Sequence, residues 1–96
     1  MSDIIQLINN ILNDKNTKIY INKYNVYVIK NQQYEILFKY KKEKNCENYY
    51  MWCYKNLNRF AICFCIKEND KIIGKKELIN IYNLIKKKYG DINARS

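Results

Sequence analysis

The chain contains no histidine. Without an imidazole it cannot build a Ser-His-Asp or Cys-His nucleophile, and no metal can be held through a ring nitrogen. Its two glycines, Gly74 and Gly90, stand too far apart for a glycine-rich phosphate loop. Proline is absent, and only two of the eighteen basic residues are arginine. Arginine is the usual reader of base edges, so base-specific recognition has little to draw on. No stretch approaches the ~18 apolar residues of a membrane helix. The opening residues MSDIIQLINN lack a basic region and a small-residue cleavage site, so no secretory signal is expected. The expectation is a cytoplasmic protein, in the host cytoplasm if the chain is viral or phage-encoded.

What is abundant is lysine and tyrosine. The net charge is +9, the chain has 96 residues, and ten of its aromatic residues are tyrosine. That length is one small domain, spanning 1–96, with little core to spare. Such a domain uses tyrosine at core edges, where the ring is buried and the hydroxyl stays wet. Richness in Lys, Asn and Ile without proline also follows from AT-rich coding, so the charge alone does not establish a nucleic-acid partner.

The patterning predicts an α+β domain in the order α-β-β-β-(α)-β-α. Residues 2–13 repeat Ile4, Ile8, Ile11 and Leu12 at helical spacing, with Ser2 as the cap. Residues 14–16 make a turn. Residues 17–22 and 24–30 read as strands, reversing at Asn22-Lys23. A second reversal at 31–33 leads to residues 34–40, where Tyr34, Ile36, Phe38 and Tyr40 alternate with Glu35, Leu37 and Lys39. Residues 41–45 read as a charged break. Tyr50, Tyr54 and Leu57 sit at helical spacing, so residues 47–57 are expected to form a short helix. The apolar run in RFAICFCIK, residues 59–67, reads as the central strand with both faces covered. A turn at 68–70 precedes a helix at 75–89 with the stripe Leu78, Ile81, Tyr82, Ile85 and Tyr89. Gly90 closes it, and residues 92–96 form a tail. The resulting architecture is two-layered: a mostly antiparallel sheet of about four strands, with N- and C-terminal helices on one face.

Cys46, Cys53, Cys63 and Cys65 are enough in number for a structural zinc site. Their spacing, C-x6-C-x9-C-x-C, lacks the paired cysteines of zinc fingers. Cys63 and Cys65 lie in the most apolar run and read as core thiols, and a reducing compartment disfavours a Cys46–Cys53 disulfide. No metal or cofactor is expected.

The element order resembles the core of restriction-endonuclease-like nucleases, which hold a divalent ion with an acid on one strand and acid-x-Lys on the next. Glu35 heads the matching strand, but Leu37 stands where lysine is required and the preceding strand offers Asn25. The motif is broken, and Glu35 reads as a solvent-facing acid. The stretch KIIGKKELINIYNLI resembles the end of a double-stranded-RNA-binding domain, where a Lys-Lys pair opening the last helix grips phosphates. The resemblance implies that role for Lys75 and Lys76. The chain departs from that pattern in having one glycine, no hydroxyl residue before the lysines and no alanine on the helix.

Charge clusters at Lys39, Lys41, Lys42 and Lys44, and again at Lys71, Lys75 and Lys76. Between them lies an aromatic belt, Tyr49, Tyr50, Trp52 and Tyr54. These eleven residues are the candidate site. Lysines hold phosphates and aromatics stack bases, so the first expectation is a non-enzymatic nucleic-acid-binding domain, for RNA or DNA, with little sequence preference. The alternative is a phage- or virus-encoded inhibitor, anti-CRISPR-like, that covers an acidic or nucleic-acid-binding surface of a host protein. In that case the belt is the hot spot and the lysines steer association. A homodimer through the 17–22 edge or the belt is a further reading.

Overall fold

The computed structural model describes the backbone of residues 3–57, 60–67 and 74–90, and the side chains of residues 4–55 and 74–90. The Ser2 cap, the turn at 68–70, Lys71 and the tail at 92–96 lie outside the described residues. So do the side chains of Cys63 and Cys65. The order is α1 (Asp3–Asn13), β1 (Lys18–Ile21), β2 (Tyr27–Lys30), β3 (Tyr34–Glu43), β4 (Cys46–Leu57), β5 (Phe60–Lys67) and α2 (Lys75–Tyr89). The fold is α+β, with an N-terminal and a C-terminal helix packed on an antiparallel sheet.

The sheet has five strands in the order β1-β2-β3-β4-β5, each pair antiparallel. Several expectations change. Residues 47–57 are strand, not helix, and of the run expected at 59–67 the described part, Phe60–Lys67, is an edge strand, not the central one. β3 occupies the middle. The helical spacing of Tyr50, Tyr54 and Leu57 is coincidental. Tyrosine and tryptophan favour the pleated surface, and pairing along all of β3 decides the matter. The charged break at 41–45 is likewise mostly strand, because β3 runs on to Glu43.

Side-chain hydrogen bonds shape the turns. Asn22 Oδ1 accepts the amides of Tyr24 at 2.9 Å and Val26 at 3.2 Å. Asn25 takes a left-handed φ of 64°. This loop delays β2 until Tyr27, three residues later than the alternation suggests. At 31–33 the reversal is as expected: Asn31 Oδ1 accepts the amides of Gln33 and Tyr34, both at 2.8 Å. The β3–β4 hairpin closes through Lys44 and Asn45, with Glu43 opposite Cys46. Lys44 has φ 52°, a conformation that costs a residue with a β-carbon roughly 1–2 kcal/mol. Lys44→Gly is therefore expected to raise stability by about 0.5–1 kcal/mol, after glycine's larger unfolded-state entropy is subtracted. A lower urea midpoint in that variant would refute strain at the turn.

Period two on the strands and period 3.6 on the helices aim at one another. Ile19, Ile29, Ile36 and Cys53 are register partners in one row facing the helices, and Ile21, Tyr27, Phe38 and Met51 form the next. Onto these rows α1 lays Ile5, Ile8, Ile11 and Leu12, and α2 lays Leu78, Ile81, Tyr82 and Ile85. Each fully buried aliphatic side chain contributes about 1.5–3 kcal/mol of transfer free energy. Tyr82 is the hub. Its ring stacks on Phe38 at 5.8 Å and on Tyr40 at 4.7 Å, and meets Tyr27 and Tyr49 edge-on at 6.3 and 5.7 Å. Lys86 Nζ lies 4.3 Å from its centroid, a cation–π contact within one helix. α2 ends at Gly90, whose φ of 108° suits glycine and whose amide donates to the Lys86 carbonyl at 2.7 Å. No helix among the described residues is long and apolar enough to cross a membrane.

Candidate nucleic-acid interface

Both helices lie on one face of the sheet, so the opposite face carries the outward half of every alternating strand. Among the described residues nothing packs over it as a second layer. The registers arrange that face in rows. Tyr20, Val28, Leu37 and Trp52 are consecutive partners across four strands and form an apolar band. At about 4.8 Å per strand it is roughly 14 Å long. Its centre is tight, with Val28 only 3% exposed, while Tyr20 at one end is 47% exposed. On one side runs the row Lys18, Lys30, Glu35 and Tyr54. On the other lie Lys39 opposite Tyr50 and Lys41 opposite Asn48.

Tyr50 and Trp52 stand two apart on β4, which puts both on this face with rings nearly parallel, 16° apart and 6.3 Å between centroids. Both are half-buried, as is Tyr54. The acids of this face are engaged: Glu35 pairs with Lys30 at 3.9 Å and Glu43 with Lys41 at 2.7 Å. The second contact holds Lys41 above the usual lysine range and Glu43 below the usual carboxylate range. Lys18 and Lys39 enter neither of these pairs.

The candidate residues thus divide. Lys39, Lys41, Tyr50, Trp52 and Tyr54 share the open face. Tyr49 does not: it faces the helices and is 5% exposed, with its ring 6.5 Å from Phe38. Its place in the belt reflected closeness in the sequence alone, which does not separate the two faces of a strand. Lys42 also has helix-face parity but lies beyond the packed helices, at the hairpin tip. There it joins Lys44 and Lys75 in a shallow hollow of about 420 Å³, completed by Asn45, Cys46 and Glu47. Lys76 is exposed on α2 and does not line the hollow. Lys18, Tyr20, Lys30, Val28 and Leu37 were not singled out from the sequence. The alternation in KIYI and YVIK, followed through the meander, is the signal that places them.

Glu47 organises the tip. Its carboxylate accepts from the Tyr40 hydroxyl at 2.9 Å and from the Tyr49 hydroxyl at 3.4 Å. The first bond raises the Tyr40 phenol above the ordinary tyrosine value. Burial, then the charge of Glu47, raises that of Tyr49. Both hydroxyls stay protonated donors through the physiological range.

Among the described residues no group of three metal-ligating side chains comes together. Cys46 is exposed on the open face and Cys53 is buried beneath the helices, and no disulfide joins the two. Comparison with protein-family models, with curated proteins and with solved structures gave no significant match.

Proposed function

We propose that this is a non-enzymatic domain that binds single-stranded nucleic acid on the open face of its sheet. One observation carries the reading. The apolar Tyr20–Val28–Leu37–Trp52 band is bracketed by lysines in the rows on both sides, with Tyr50 set parallel to Trp52. Bases have apolar faces and stack on aromatic rings in a sequence-tolerant way, while lysines on either side meet the phosphates. A rigid duplex does not present its base faces, so the band suits an unpaired strand.

Trp52 is the sole tryptophan, which makes its fluorescence a direct report on the band. Titration with a short oligothymidylate is expected to quench it, with affinity falling steeply between about 50 and 200 mM salt as counterions are released. Quenching without salt dependence, or none at 50 mM salt, would overturn the reading.

The same Tyr and Trp residues support a second reading, an inhibitor that docks on an acidic or nucleic-acid-binding surface of a host protein, because such side chains dominate protein hot spots. A lysate partner retained on the domain after nuclease treatment, together with no oligonucleotide binding, would favour it.

A further inference from the structure

We propose that the hollow at the hairpin tip is a site for a phosphate monoester. Lys42 and Lys44 reach it from the β3–β4 hairpin and Lys75 from the first position of α2, some thirty residues later in the chain. None of the three takes part in the Lys30–Glu35 or Lys41–Glu43 ion pair. Lys42 is the ladder partner of Glu47, yet both Glu47 oxygens are bonded by the phenols of Tyr40 and Tyr49. The one carboxylate that lines the hollow among the described residues is thereby tethered to the core side. Of the other nearby acids among the described residues, Glu43 is held by Lys41 and Glu77 folds back beside Gly74, and neither lines it.

Local chemistry leaves these lysines unexplained by folding. Lys75 opposes the dipole of the helix it starts, and Gly74 supplies no side-chain cap. Lys44 occupies a strained turn position. Among the described residues, three ammonium groups against one carboxylate leave the hollow near +2. That matches a terminal phosphate, which carries about −1.5 to −2 at neutral pH, better than a chain phosphodiester.

A second hollow, on the open-face side of the hairpin, shares Lys44, Asn45 and Cys46 with the first, is lined also by Glu43, whose carboxylate Lys41 holds at 2.7 Å, and continues through Asn48 toward Tyr50. From Trp52 to Cys46 along β4 is about 20 Å. Resting on the open-face reading, the phosphate is assigned to the end of a strand laid across the band. A free phosphate group is the other source of the same chemistry.

The test compares oligothymidylates bearing a 5′-phosphate, a 3′-phosphate or hydroxyls at both ends. One phosphorylated form is expected to bind about tenfold more tightly than the hydroxyl form. In Lys42→Gln/Lys75→Gln that advantage is expected to vanish while binding of the hydroxyl form changes little. A parallel titration with inorganic phosphate follows the amide resonances of residues 42–47 and 75 against a chloride control. Equal binding of all three oligomers with saturable phosphate shifts assigns the site to free phosphate. No end preference and no phosphate shifts overturns the proposal and leaves the open-face reading intact. Phosphate shifts without any oligonucleotide binding uphold the hollow and overturn the open-face reading.

Discussion

Tyr82→Ala is expected to bring the domain close to unfolding. Truncating a buried aromatic removes its transfer free energy and leaves a cavity, together about 3–5 kcal/mol. Tyr82 is 7% exposed, and its ring is shared by side chains from β2, β3 and β4, so no single neighbour can relax into the gap. A domain of this size has roughly 5–14 kcal/mol of total stability, taken at about 0.05–0.15 per residue. The variant should lose a large part of it, with a much lower urea midpoint and a broadened transition. Tyr82→Phe keeps the ring and nearly the same volume and should cost less than about 1.5 kcal/mol. A Tyr82→Ala variant within about 1 kcal/mol of the parent would show that the aromatic cluster does not hold the layers together.

Trp52→Ala is expected to weaken single-strand binding by about 5- to 150-fold, the equivalent of one lost base stack at about 1–3 kcal/mol. The readout is the anisotropy of a labelled oligothymidylate at low salt, with circular dichroism confirming the sheet. Trp52→Phe should restore most of the affinity because a ring remains. Tyr24→Ala is the control. Tyr24 is the most exposed aromatic among the described residues at 68%, but it lies in the β1–β2 turn, off the band. Its loss should leave affinity unchanged. Equal losses in Trp52→Ala and Tyr24→Ala would mean that exposure, not the band, governs binding.

The helices and the first three strands were legible because their apolar residues keep one period. Phe38 and Ile36 alternate with charged neighbours, and Leu78, Ile81 and Ile85 fall on one helical stripe. β4 was not legible because both of its faces are apolar. Tyr49, Met51 and Cys53 serve the core, while Tyr50, Trp52 and Tyr54 serve the open face. A strand without polar alternation carries no period-two signal, and chance i, i+4 matches fill the gap. The same ambiguity misplaced the site. The sequence identifies which residue types gather near Trp52, but only the register shows that Tyr49 leaves the group and Tyr20 joins it. The grouping of Lys42 and Lys44 with Lys75 depends on tertiary closure, which local spacing does not encode.

The strand order has a kinetic side. Every ladder joins strands that are neighbours in the chain, from β1 through β5, so each closes a short loop. The sheet can therefore assemble hairpin by hairpin, with its open face and lysine rows taking shape early. The core cannot: α1 precedes the sheet, α2 follows it, and the Tyr82 that knits three strands arrives only with α2. During synthesis the apolar helix-facing rows wait, covered by α1 alone, for α2 to emerge. A ribosome paused before α2 would hold a sheet with half of its greasy side bare, and that interval is when this domain most needs a chaperone.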